Sequence, residues 1–205
     1  MTDALTPATA WAEMLEGNER FVAGTPQHPR QDIERRNTLA AGQAPDAVLF
    51  GCSDSRLAAE IIFDKGLGDL FVVRNAGQVV SASAIASIEY AVAVLNVPLL
   101  VVLAHDACGA VQAAIDLDSP DARPLPPHIA GHIAPIRSAV RAVPDRDAEH
   151  VGRRHLENTV AALVAGSELI SDAVAEGRLA VVGANYRLAE GRAEPVVVVG
   201  TVDPA

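Results

Sequence analysis

Two periodicities alternate along the chain. Short, nearly unbroken apolar runs at residues 47–52, 70–74 and 99–104 have the length and continuity of strands covered on both faces. Between and after them, over 58–63, 82–95 and 108–117, apolar positions recur every three or four residues, the spacing of helices with one buried face. Strand, helix, strand in repeated order predicts a parallel sheet with right-handed crossovers. Residues 118–127 hold four prolines and read as a loop, 128–143 and 147–176 return to helical spacing, and 179–188 with 195–199 reads as a terminal hairpin turning at 189–192. The expected fold is α/β, a mainly parallel central sheet of about four strands with an added antiparallel C-terminal strand, flanked by helices.

An N-terminal helical arm precedes this core. After Thr6 and Pro7, a cap and first-turn pair, Trp11, Met14, Leu15, Asn18, Phe21 and Val22 share one face of a helix that ends near Gly24. A polar, proline-containing connector leads from there to a second helix at about 33–41. An arm of this kind, residues 1–44, needs a surface to lie on, either its own sheet or a partner subunit. With 205 residues, half of them apolar and none in low-complexity tracts, the chain is expected to form a single domain over 1–205.

Charge and segment lengths narrow the partners. A formal net charge of -10 argues against nucleic acid, whose recognition calls for a basic patch. The longest apolar stretch, 91–104, is interrupted by Asn96 and Pro98 and is too short for a membrane helix, so no membrane partner is expected. The first residues, Met1-Thr2-Asp3-Ala4-Leu5, show neither the basic nor the apolar region of a secretory signal, and a cytoplasmic protein is expected. In a reducing compartment the two cysteines read as thiols or metal ligands in preference to a disulfide.

Both cysteines fall in short segments that follow strands: Cys52-Ser53-Asp54-Ser55-Arg56 after the first, and His105-Asp106-Ala107-Cys108-Gly109 after the third. One Cys and a His-x-x-Cys offer three ligands suited to Zn²⁺ and leave a fourth tetrahedral position open, the ligand count of a catalytic site. Ligands of open α/β sheets gather beyond the carboxyl ends of strands where the strand order reverses. If the first and third strands are neighbours there, Cys52 and His105 meet, and Cys108 sits at a helix N-terminus that favours its thiolate.

Cys52-x-Asp54-x-Arg56 in register with His105-x-x-Cys108-Gly109 resembles the signature of the beta-class carbonic anhydrases. The resemblance runs over nearly the whole chain, through Glu16-Gly17-Asn18-Glu19-Arg20-Phe21, Gly42-Gln43, Phe71-Val72-Val73-Arg74-Asn75, Ser87-Ile88-Glu89-Tyr90-Ala91 and the last strand pair. It implies one Zn²⁺ per chain on Cys52, His105 and Cys108, and reversible hydration of CO₂ to bicarbonate and a proton by a zinc-bound hydroxide. Asp54 and Arg56 match the family's catalytic dyad, Arg56 drawing the Asp54 carboxylate off the metal; in a closed state Asp54 itself would be the fourth ligand. Gln43, Phe71, Tyr90 and Gly109 match substrate-site positions, with parts of the cleft shared between subunits of a homodimer or tetramer. Two thiolates cancel the charge of Zn²⁺, so activity rising toward alkaline pH is expected. Some members hold a second, inhibitory bicarbonate on a Trp, an Arg and a Tyr; Arg74 and Tyr186 match, whereas Leu49 stands in the Trp position.

Other readings compete. A zinc-holding structural or regulatory protein would keep the three ligands and have no need of the dyad, and a COS or CS₂ hydrolase would share the same ligands. His128 and His132 stand four apart on a predicted helix, a metal-compatible spacing without a third ligand, and His150 and His155 read as solvent-facing.

Overall fold

The computed structural model describes residues 5–202. The arm holds α1 (Pro7–Val22) and α2 (Ile33–Leu39); the core follows as β1 (Ala47–Cys52), α3 (Ala59–Ile62), β2 (Leu70–Asn75), α4 (Ala82–Ala93), β3 (Leu99–His105), α5 (Gly109–Leu117), α6 (Pro127–Ile133), a 3-10 turn (Ala134–Ile136), α7 (Arg137–Ala142), α8 (Ala148–Ala165), α9 (Glu168–Ala175), β4 (Ala180–Arg187) and β5 (Arg192–Val199). The sheet order is β2-β1-β3-β4-β5. The first four strands are parallel and β5 returns antiparallel to β4, the expected architecture. β1 is flanked by β2 on one side and β3 on the other, so the chain reverses its direction of travel across the sheet between them, and the crevice above their carboxyl ends is the switch point.

Alternation along the buried strands divides the core into two layers. Leu49, Val101, Leu103 and Val182 face α1, α5 and α7. Val48, Phe50, Leu100, Val102 and Val181 face α4, α8 and α9 through Ile88, Leu156, Leu163 and Ile170. Two predicted helices are broken. Residues 147–176 divide at Gly166, where Ser167 turns extended and its Oγ caps α9 by accepting the Ile170 amide. Residues 128–143 divide around Pro135, which cannot donate within a continuing helix. The last strand begins earlier than expected, at Arg192; Pro195 is accommodated beside a register shift at Gly183 and Ala184, on an edge strand where a missing N–H is tolerated.

The arm's connector lies on the chain's own α3–β2 segment. The amides of Gln27 and His28 donate to the Asp64 carboxylate at 2.9 Å each, and the guanidinium groups of Arg30 and Arg35 converge on Asp69. Lys65, the single lysine, is buried between Glu13 and Asp46. No residue of α2 is buried, and Ile33 is 67% exposed. Among the described residues no helix is long and apolar enough to cross a membrane.

Asn18 ties the arm to α3 and to the β4–β5 hairpin. It is 2% exposed; its Nδ2 donates to the carbonyls of Ile62 (3.0 Å) and Gly191 (2.8 Å), and its Oδ1 accepts the Ala193 amide (2.9 Å). Its presence on an otherwise apolar helix face follows, since those backbone groups have no water to turn to. Asn18→Ala strands all three and is expected to lower unfolding free energy by about 3 kcal/mol. A denaturant titration showing a change within about 0.5 kcal/mol would sink this account of the anchor.

Candidate metal centre and active site

The strand register carries the ligands to one place. Cys52 ends β1 and His105 ends β3, and Gly51 pairs with Leu103 across the two strands, so both side chains emerge at the same edge of the sheet. After His105 the chain turns through Ala107, whose φ of 48° is in the left-handed region, and delivers Cys108 as the N-cap of α5. The donor atoms of Cys52, His105 and Cys108 all lie within 4.8 Å of one another, and all three residues are buried. Three ligands of one tetrahedral ion stand roughly 3.4–3.8 Å apart, so only a small contraction separates this cluster from coordination.

The chemistry of the cluster fits a cation. His105 Nδ1 donates to the Asp106 carbonyl at 2.7 Å, which leaves Nε2 as the bare nitrogen, and Nε2 is buried without a hydrogen-bond partner. A buried orphan acceptor is costly unless something positive completes it. The two sulfurs compete for one proton: the hydrogen bond from Cys108 pulls the Cys52 thiol down to about 4, while that thiolate and burial push Cys108 up. Burial works against charge on His105, but the Cys52 thiolate beside it outweighs that and raises its pKa. Cys52 Sγ also accepts the Gly77 amide at 3.2 Å, and Cys108 stands at the N-cap of α5. Two sulfurs, one a thiolate and the other able to give up its proton to a bound cation, together with an imidazole lone pair, make a donor set for a soft or borderline metal ion.

Asp54 and Arg56 stand at the rim. Arg56 grips the carboxylate with two parallel bonds, Nε to Oδ1 at 2.8 Å and Nη2 to Oδ2 at 2.7 Å, and its own amide also donates to Oδ1. The Arg56 hydrogen bond holds the Asp54 carboxyl well below the usual carboxylate range. Asp54 Oδ2 is 3.9 Å from His105 Nε2, close to the ligand cluster yet turned toward Arg56.

A family model described as carbonic anhydrase matches residues 47–193, the span from β1 through the start of β5. The chain belongs to the carbonic anhydrase family, as an enzyme of its beta class. It is 52% identical over 189 residues to carbonic anhydrase 2 of Mycobacterium tuberculosis, covering 91% of each chain. It is 48% identical over 195 residues to a carbonic anhydrase of Mycolicibacterium smegmatis, covering 92% of each. Among solved structures it resembles a tetrameric beta-carbonic anhydrase of Sordaria macrospora with a TM-score of 0.71 and 26% identity, over 91% of this chain and 96% of that one.

Beta-class membership draws attention to the residues matched to the substrate cleft, and these are not all at the ligand cluster of their own chain. Gly109 is, exposed at the head of α5 with open space beside its Cα. Phe71 is level in the sheet with Val48, four residues before Cys52, or about 13 Å along the strand. Tyr90 packs on Phe71, ring centroids 6.1 Å apart, and is 46% exposed, so neither ring is a core residue in the ordinary sense. Gln43 precedes β1 and is exposed at the opposite end of that strand from Cys52. Within this beta-class scaffold Phe71 and Tyr90 form a ring pair set apart from the ligand cluster.

Arg74, Tyr186 and Leu49, the positions compared with the family's second bicarbonate site, all lie on strands of the sheet. Arg74 donates from Nε to the Cys52 carbonyl (2.9 Å) and from Nη2 to the Asp54 carbonyl (2.7 Å), clamping the loop that carries the first ligand and the dyad. Tyr186 is 4% exposed on β4, and Leu49 is core. One histidine departs from the sequence expectation. His155 is 4% exposed, not solvent-facing, and its Nε2 donates to the Gly77 carbonyl at 2.7 Å. His132 donates from Nε2 to the Ala76 carbonyl at 2.8 Å. Only Arg74-Asn75-Ala76-Gly77, a strand end followed by glycine, hinted that this turn matters.

Proposed function

We propose that the chain catalyses reversible hydration of CO₂ to bicarbonate and a proton, with one Zn²⁺ held by Cys52, His105 and Cys108 and with Asp54 and Arg56 as the catalytic dyad. The observation that carries the reading is the ion pair at the rim: a carboxylate locked bidentately by Arg56 beside three buried donors has no purpose in a merely structural zinc site. When bound, the metal makes a coordinated water acidic enough to act as nucleophile near neutral pH. Asp54, ionised and held by Arg56, accepts a hydrogen bond from the attacking oxygen and aims its lone pair at the substrate carbon. Arg74 holds the backbone from which Asp54 projects, and the Gly109 amide faces the incoming oxygen of the substrate.

Phe71, Tyr90 and Gln43 serve the cleft of a second copy of the chain, a reading supported by their distance from their own ligand cluster, so the working unit is a homodimer or a tetramer in which each site is completed by its neighbour. The enzyme is read as cytoplasmic and as one domain over 1–205, in line with its reduced cysteines. Stopped-flow CO₂ hydration on metal-assayed protein tests the reading. One zinc per chain and a rate that rises toward alkaline pH are expected; zinc-loaded protein that hydrolyses COS or CS₂ and leaves CO₂ untouched would transfer the assignment to those substrates, and zinc-loaded protein that turns over none of the three would end it.

A further inference from the structure

We infer that His132 and His155 form a bracket that positions the Gly77 amide against the sulfur of Cys52, and that they are positioning residues for the metal centre. The inference rests on the zinc reading of that centre and goes beyond its ligands and dyad.

The geometry is a pair of peptide groups gripped from two sides. The Ala76–Gly77 peptide accepts from His132 Nε2 at its carbonyl (2.8 Å) and donates from its N–H to Cys52 Sγ (3.2 Å). A hydrogen bond on the carbonyl of a peptide polarises the group and makes its N–H a better donor, so the two bonds reinforce each other. The next carbonyl, Gly77, accepts from the buried Nε2 of His155 at 2.7 Å. His132 comes from the last turn of α6 and His155 from α8, so two separate helices fix the orientation of the turn.

The turn itself admits little else. Gly77 has φ of 76°, and a Cβ there would stand 2.7 Å from Ala110 Cβ on α5 and 3.1 Å from Ile136 Cδ1. Asn75 closes the same turn, its side chain donating to the Val79 carbonyl and accepting the Val79 amide, both at 2.8 Å. The glycine lets the backbone approach the sulfur, Asn75 sets the loop, and the histidines aim the amide. An N–H aimed at a thiolate draws charge from it and orients its lone pairs, which strengthens the grip on a correctly placed ion and tempers how much negative charge the sulfur passes to it.

The test is made on the full-length protein with His132→Ala, His155→Phe and His155→Gln. Glutamine presents an amide N–H at nearly the position of the imidazole Nε2 and is the rescue. Each variant is loaded with zinc and titrated with a competing chelator, and separately loaded with cobalt to read the thiolate-to-metal charge-transfer band. His132→Ala and His155→Phe are expected to weaken zinc binding about tenfold or more and to shift the cobalt band, with His155→Gln close to wild type. His132 is half-buried and its replacement leaves the core intact, so it tests the bracket even if His155→Phe does not fold. Wild-type zinc affinity and an unshifted band in folded His132→Ala would overturn the proposal. A wild-type protein that binds no zinc at all would instead overturn the zinc reading beneath it, so the two failures are distinct.

Discussion

Cys52→Ser is expected to yield a folded protein with almost no bound zinc and a kcat/KM for CO₂ hydration lowered by about 10³-fold or more. Serine has nearly the shape of cysteine, and the surrounding strands are buried on both faces, so the sheet has no reason to reorganise. What disappears is the thiolate: an alcohol at the same point does not ionise near neutral pH, and the set of two sulfurs and one nitrogen is reduced to one of each. Loss of the metal removes several kcal/mol of transition-state stabilisation, with each 1.36 kcal/mol worth tenfold in rate. Metal analysis, circular dichroism and stopped-flow hydration check the three parts together. A folded variant that keeps one zinc per chain and most of its turnover would show that Cys52 is not a ligand.

The second large effect separates catalysis from metal binding. Asp54→Ala is expected to retain one zinc per chain and to lose about 10²–10⁴-fold in kcat/KM, the range of a positioned proton-handling group. Arg56→Ala should produce a comparable loss by a different route. With the guanidinium gone, the Asp54 carboxylate is no longer held away, and at 3.9 Å from His105 Nε2 it needs only a small rotation to reach the ion. Removing the Arg56 hydrogen bond also lets the Asp54 pKa rise back toward the ordinary carboxylate range, so the stronger pH dependence should appear on the acid side. The double variant is diagnostic, since removing Asp54 from Arg56→Ala takes away the competing ligand and should cost little more. An Asp54→Ala protein with full zinc and undiminished rate would leave the dyad without a role.

Much of this is legible in the sequence. Unbroken apolar runs gave the parallel strands because β1 and β3 are covered on both sides, and the adjacency of those two strands is what turns two motifs about fifty residues apart into one cluster. Helix ends were less legible: Gly166 and Pro135 interrupt stretches whose apolar spacing continues through the break, so periodicity alone ran two helices together. The support around the metal centre was least legible. His132, His155 and Arg74 act on backbone carbonyls, and a carbonyl carries no side-chain signature that a sequence could pair with them. Phe71 and Tyr90 were identified by resemblance alone, and only the strand register revealed how far they lie from their own ligand cluster.

The placement of Cys52 and His105 on adjacent parallel strands also orders events in the life of the protein. Parallel neighbours cannot be joined by a tight turn, and here β2, α3 and α4 must all be threaded between them before the two ligands face each other. An ion therefore cannot nucleate this fold in the way it nucleates a zinc finger, whose ligands sit on one short unit. The metal arrives at a finished sheet, and a chelator strong enough to take it away should leave an intact apoprotein that recovers activity on reloading without refolding.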